Sequence, residues 1–242
     1  MTFINLLFHL AVLKNGRQYI RKMSTGRIRQ HVNPLSATYQ EPTDLPEAWI
    51  STYFKNPNFP FFVDIGCGLG SFVLQCAKLE ANINFLGIDI RKPVIAECLT
   101  RQDRAGLTKQ NVHFLASNAN IDLPRLLTDI AKTSHVQMIC VHHPDPQFKL
   151  RHKKRRVVNP LMVEQIANRV NSGCFLYLQS DLEDVLLEMA NEVNAHPAFL
   201  KAPGFSMSAP DTNPIVHKVK TEREIASAAL GRSIYRMMFV RQ

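Results

Sequence analysis

The chain has 242 residues, of which 45% are hydrophobic and 20% charged, enough to bury a sizeable core and to exclude disorder throughout. One large α/β domain is the default at this length. Lysine and arginine number 29 against 20 aspartate and glutamate, giving +9, and the excess is gathered into two segments, a pattern that favours a polyanionic partner, nucleic acid first.

The first of these segments is the opening 40 residues, which contain no acid and carry Lys14, Arg17, Arg21, Lys22, Arg27 and Arg29. Its apolar run, Phe3 to Leu13, falls far short of the ~20 residues that cross a bilayer, so no membrane span is expected. Residues 1–25 read as an extension with three origins left open: a transit peptide, an amphipathic first helix, or sequence upstream of a start at Met23. Residues 26–242 are then the functional domain. Trp49 and Tyr53, one helical turn apart, are expected in its core rather than on a base-stacking platform.

After Pro60 the pattern alternates between short apolar runs and helical periodicity. Phe61 to Ile65, Asn84 to Ile90, Val112 to Ala116, Val136 to His142 and Cys174 to Gln179 predict strands. Helices are predicted over Ser71 to Leu79, Pro93 to Ala105, Ile121 to Ala131, Pro160 to Val170 and Asp181 to Asn194, with Pro93 and Pro160 in first-turn positions and Asp181 as N-cap or first-turn acid. Ala198 to Pro214 reads as a long loop, followed by a helix over Glu222 to Leu230 and a last strand over Ile234 to Val240. Such alternation implies a Rossmann-like, doubly wound, mostly parallel sheet with right-handed crossovers and a crevice at the carboxyl ends of its strands.

At those ends lie the residues that carry chemistry. Val63-Asp64-Ile65-Gly66-Cys67-Gly68-Leu69-Gly70 is a glycine-rich turn between strand and helix, where backbone can approach a ligand closely. Its G-x-G-x-G spacing is one residue shorter than the dinucleotide fingerprint. Asp89, nineteen residues after Gly70, ends the second strand, where an acid can bond both hydroxyls of a ribose. Asn118 and Ala119 follow the third strand, suited to framing an adenine edge. In this order the three elements are similar to the cofactor cleft of a class I S-adenosylmethionine methyltransferase, with Asp64 near the cationic methionyl end.

The fourth strand runs into Pro144-Asp145-Pro146, whose prolines hold Asp145 extended at the crevice. The second basic segment follows at once: six of the eight positions from Lys149 to Arg156 are lysine or arginine. The three histidines His142, His143 and His152 lack a second ligand cluster, so hydrogen-bonded or solvated imidazoles are expected and no metal. Cys67, Cys76, Cys98, Cys140 and Cys174 follow no disulfide or metal spacing and read as buried free thiols.

Several of these strings, with Gly26-Arg27-Ile28-Arg29-Gln30-His31-Val32-Asn33-Pro34-Leu35, Gly87-Ile88-Asp89-Ile90-Arg91 and Thr221-x-x-Glu224, resemble the tRNA (guanine-N7)-methyltransferases. The resemblance runs from about Gly26 to the C-terminus and looks like the cyanobacterial and plastid branch. It implies methyl transfer from S-adenosylmethionine to N7 of a tRNA guanosine. Asp64, Gly66, Gly68, Gly70, Asp89, Asn118, Ala119 and Asp145 would then hold the cofactor, with Asp145 at the catalytic centre. Lys149, Asp181, Thr221 and Glu224 would face the guanosine, and Arg151, Lys153, Lys154, Arg155 and Arg156 the RNA backbone.

The departure is Gln147, where the family usually carries tryptophan, with Phe148 next door as the residue that would compensate. Two other readings stay open at this stage. One is an amino-group methyltransferase on another nucleic acid, although Gln147 lacks the ring of the Asn/Asp-Pro-Pro-Tyr turn. The other is a noncatalytic RNA-binding subunit, whose mark would be a damaged cofactor turn, and this turn is intact. A monomer in a bacterial-type cytoplasm is expected, with a plastid as the alternative.

Overall fold

The central strands are apolar on both faces, which suits burial between helices rather than the half-solvated face of an antiparallel sheet. The computed structural model describes residues 32–147, 150–202, 216 and 218–242. The readings of residues 1–31, Phe148, Lys149 and the 203–214 part of the expected loop lie outside these. Seven strands form one sheet in the order β3-β2-β1-β4-β5-β7-β6: β1 (Phe61–Ile65), β2 (Asn84–Asp89), β3 (Val112–Ala116), β4 (Val136–His142), β5 (Phe175–Ser180), β6 (Phe199–Lys201) and β7 (Tyr235–Arg241). The first five run parallel, and β7 lies antiparallel between β5 and β6. The α/β expectation is met.

A short helix α1 (Trp49–Tyr53) precedes the sheet, and the crossovers are α2 (Ser71–Leu79), α3 (Lys92–Arg104), α4 (Ala119–Ala131), α5 (Pro160–Ala167) and α6 (Glu183–Asn194), with α7 (Glu222–Ala229) before the last strand. Two apolar layers enclose the sheet. One joins α1, α4, α5 and α6 to the sheet, with Trp49 only 2% exposed, and the other joins α2 and α3 through Phe62, Phe85 and Phe114. Tyr53 packs at the edge of the first layer and stacks on His113 with ring centroids 3.8 Å apart.

The chain winds outward through β1, β2 and β3, then returns to place β4 on the other side of β1. This reversal opens a crevice between the ends of β1 and β4, where ligands of such sheets bind. Among the described residues no helix is long and apolar enough to cross a membrane.

Beyond one-residue shifts at several element ends, the structure differs from the sequence reading in four places. Asp181 does not cap α6: the N-cap is Leu182, because Asp181 is drawn to Arg223 across the sheet end. Helix α4 starts at Ala119, since Asn118 accepts a bond from the Asn120 N–H. Helix α5 ends at Ala167, with Asn168 as its C-cap, rather than at Val170. Phe199–Lys201, read as loop, is an edge strand held by backbone pairing to β7 and too short to show a period of two.

Candidate active site

Three glycines turn the chain from β1 into α2. Gly66, Gly68 and Gly70 have φ of 83°, 54° and 72°, the left-handed region that other residues adopt at a cost. Gly66 and Cys67 N–H donate to the Ile88 carbonyl at 2.7 and 3.0 Å, fastening the turn to β2. At Gly66 and Gly68 a Cβ would meet nothing within 4 Å, so the turn faces open space. At Gly70 and Gly87 a Cβ would lie 2.7 and 2.5 Å from the Phe114 ring, so close packing demands glycine there.

Asp89 sits beside this turn, 5% exposed. Its carboxylate accepts from the Gly68 N–H at 3.2 Å and takes the Arg91 guanidinium as a fork, Nε on Oδ1 at 2.9 Å and Nη2 on Oδ2 at 2.7 Å. That contact raises the Arg91 pKa above its ordinary value.

Asn118 donates both amide hydrogens away from the crevice, to the carbonyls of Pro34 and Tyr39 at 3.1 and 3.0 Å. Ala119 is buried behind it as the first residue of α4. One turn on, buried Asp122 accepts from Thr43 N–H and Oγ and from Ser117 Oγ, and pairs with Arg125. Burial alone would raise this carboxyl, but the four donors outweigh it and hold the pKa below normal. Asn118 and Asp122 thus clasp residues 34–43 over the carboxyl end of β3.

Across the crevice, Asp64 of β1 and His142 of β4 are both buried, and Asp64 Oδ1 lies 2.8 Å from His142 Nδ1. Among the described residues His142 Nε2 is buried with no hydrogen-bond partner, and the imidazole sits between Phe72 and Tyr177. Past β4, Asp145 is gripped by Gln147, whose N–H approaches Oδ1 at 3.3 Å and whose Nε2 donates to Oδ2 at 2.7 Å. Gln147 itself takes φ of 46°. The residue that departs from the expected tryptophan therefore holds the central acid by hydrogen bonds.

The Thr221 and Glu224 pair opens α7 as a capping box: Thr221 Oγ accepts from Glu224 N–H and Glu224 Oε2 accepts from Thr221 N–H. Glu224 also binds Arg236 of β7 at 2.5 Å. Asp181, its side chain 6% exposed, pairs with Arg223 at 2.8 Å and accepts from Ser227 at 3.3 Å. Burial, the largest single influence, would raise Asp181, but the bond and charge of Arg223 with the smaller contributions beside them together outweigh it and lower the pKa.

Residues 58–237 match the model of a family described as "Putative methyltransferase". The chain belongs to this methyltransferase family. Among curated relatives, the tRNA (guanine-N(7)-)-methyltransferase of Trichormus variabilis is 41% identical over 89% of this chain and 96% of its own. Those of Microcystis aeruginosa and Synechocystis sp. are each 38% identical over 90% of this chain and 99% of theirs. In fold the chain is similar to the 16S rRNA methyltransferase KamB, with a TM-score of 0.56 over 83% of this chain and 95% of that one, at 13% identity.

Within this methyltransferase fold, Asp64, the glycine turn, Asp89, Asn118 and Ala119 lie at the ends of β1, β2 and β3, while Asp145 follows β4, Asp181 follows β5, and Glu224, which opens α7 with Thr221, lies 3.4 Å from Gln179 of β5. Lys149 lies outside the described residues. The basic segment coils as a 3-10 turn, Leu150–Arg155. Arg156 fastens it twice, through Nε on the Pro146 carbonyl at 3.1 Å and Nη1 on Glu188 of α6 at 2.5 Å. Lys153 reaches Glu192 at 3.9 Å, whereas Arg151 and Lys154 are exposed and Arg155 Nε is buried without a partner among the described residues. A cavity of about 160 Å³ under this turn is lined by Asp145, Lys153, Lys154, Arg156, Val158 and Met189, among others.

Sequence reasoning missed Arg91, Asp122, Gln179 and Arg236 as site residues. Asp122 left a signal, an acid on the apolar face of a helix that also presents Leu123, Leu126 and Leu127. The other three are polar residues in or beside strand ends, which carry no pattern of their own.

Proposed function

We propose that this protein transfers a methyl group from S-adenosylmethionine to N7 of a guanosine in tRNA. The observation that carries the reading is the pairing of near-full-length likeness to tRNA (guanine-N(7)-)-methyltransferases with an acid between two prolines at the crevice. The residues present fit the cofactor, because the turn at Gly66 and Gly68 leaves space where any side chain would intrude. When bound, S-adenosylmethionine supplies an electrophilic methyl on a cationic sulfur.

In this reading the Asp89 carboxylate meets the ribose hydroxyls, and Asp64, oriented by His142, faces the methionyl ammonium. Asn118 contributes its backbone to the adenine edge, its amide being committed to Pro34 and Tyr39. Asp145, Asp181, Thr221 and Glu224 surround the guanosine together with Lys149. Guanine N7 carries an available lone pair, so no proton has to be removed before it attacks. Positive charge moves from sulfur to the purine ring, and Asp145 and Glu224 are fixed acceptors for that developing cation. Orientation alone supplies ~7 to 11 kcal/mol in well-built sites, so Asp145 orients and stabilises rather than deprotonates.

Phosphate contacts from Arg151, Lys153, Lys154, Arg155 and Arg156 position the RNA without reading its sequence. The protein acts as a monomer, and in a reducing compartment of cytoplasmic type, the latter supported by five free thiols, four of them buried. The test is incubation with labelled S-adenosylmethionine and unmodified tRNA, followed by N7-specific strand scission. Scission at a labelled guanosine is expected, and label on adenine or cytosine refutes the reading.

A further inference from the structure

Behind Asp181 and Glu224 lies a polar chain whose hydrogen positions the surrounding donors settle. Gln179, 2% exposed on β5, has its Oε1 approached by Tyr177 Oη at 2.9 Å and Arg236 Nε at 3.2 Å. Because a guanidinium only donates, that end of the amide is the oxygen. Its Nε2 therefore donates, and it lies 2.9 Å from His143 Nε2 and 3.4 Å from Glu224 Oε2.

His143 Nε2 must then accept, which puts the imidazole proton on Nδ1, directed at Asp181 Oδ1, 3.4 Å away. The ring is 7% exposed, and burial, seconded by His142, pushes its pKa down to about 4. The backbone supports the arrangement: His143 takes φ of 46° and its N–H donates to the Gln179 carbonyl at 2.8 Å. A non-glycine residue held in that region is costly and persists where its surroundings over-determine it.

We propose that His143 and Gln179 are positioning residues that set Asp181 and Glu224 as a pair of acceptors for the N1–H and 2-amino donors of guanine. The inference rests on the reading above that these two acids face the base. The chemistry favours it, since N7 lies on the opposite edge of the purine from N1–H and the 2-amino group. A base whose N7 meets the methyl donor turns those donors toward the far wall. Adenine presents an acceptor at N1 and is rejected by two carboxylates. The cluster also balances, two carboxylates against Arg223 and Arg236 around a neutral imidazole, so no extra cation opposes the cationic product.

Gln179→Glu keeps the oxygen that serves Tyr177 and Arg236, and replaces the Nε2 donor by an acceptor that, when ionised, also brings a negative charge to face His143 and Glu224. The readouts are kcat, KM and the ratio of kcat/KM for tRNA bearing guanosine or inosine at the target, at pH 6 and pH 8, with melting temperature as control. At pH 8 the variant should lose roughly ten- to hundredfold in kcat/KM, the range for a bond to a charged partner, and most of its preference for guanosine over inosine. At pH 6 uptake of a proton by the introduced carboxylate, which is surrounded by His142, His143, Asp181, Glu224, Arg223 and Arg236, should restore the donor and much of both.

His143→Asn, tolerated at positive φ, keeps a donor toward Asp181 and loses the acceptor for Gln179. It should show the same loss with no recovery at pH 6. Wild-type ratios in both variants, or a loss that tracks melting temperature alone, would overturn the proposal. Asp181→Asn and Glu224→Gln separate the two levels. If they change the ratio while Gln179→Glu and His143→Asn do not, positioning fails alone; if they leave it unchanged, the base-facing reading fails with it.

Discussion

Replacing Gln147 by leucine keeps the volume of the side chain and removes the amide that grips Asp145. The bond lost is Nε2 to Oδ2 at 2.7 Å; the backbone N–H contact at 3.3 Å remains. A hydrogen bond to a charged group contributes roughly 1.5 to 3 kcal/mol, and because both residues are half-buried the lower figure applies. At 1.36 kcal/mol per tenfold, a loss of about 1.5 kcal/mol in holding Asp145 predicts a rate about tenfold slower. The assay is single-turnover methyl transfer with labelled cofactor and saturating tRNA, in which binding cancels and only the chemical step is read. The cofactor Kd should change less than twofold. A Gln147→Leu protein with an unchanged melting temperature and a wild-type single-turnover rate would refute the idea that this residue holds the acid.

Asp145→Asn should lower turnover by one factor across the working pH range, with no new pH dependence; a steep titration of the wild-type chemical step in the acid's range would argue for proton transfer. Gly87→Ala drives a Cβ to 2.5 Å from the Phe114 ring and should cost about 1 to 3 kcal/mol in urea unfolding, with partial recovery in combination with Phe114→Leu. His113, stacked on Tyr53, is held by burial at a pKa of about 4 from its ordinary 6.5. The folded state thus binds this proton less readily than the unfolded chain, so the contribution is full above pH 6.5 and is lost as pH falls toward 4. That is worth about 2 to 3 kcal/mol after allowing for partial solvent access, and His113→Phe should remove that much of the acid destabilisation seen in pH-dependent urea midpoints. Lys154→Ala should weaken tRNA binding and reduce the slope of log Kd against log salt by about 1.

The parallel sheet was legible because its strands are buried on both faces and leave continuous apolar runs such as Phe61 to Ile65. The glycine turn was legible because three positive-φ positions within five residues leave a compositional mark. What surrounds them was not. His142 meets Asp64 across 78 positions and Thr43 meets Asp122 across 79, and neither contact alters local periodicity. Asp181 looked like a helix cap from its neighbours alone, yet an ion pair with Arg223, 42 positions away, decides its place. Gln147 was visible only as a departure from a pattern; that it replaces a ring with a hydrogen-bond clamp needed φ and the atom positions.

The clasp of Asn118 and Asp122 on residues 34–43 also decides where the first described residues run. The first described residues approach beside the crevice, since Thr43 Oγ bonds the carbonyl of Ala116, the last residue of β3. Strand β7 runs the other way, pairing Val240 with Phe175 at the start of β5, so Gln242 leaves from the opposite pole. A tag, fluorophore or surface linker belongs on Gln242, at the pole away from the cofactor turn.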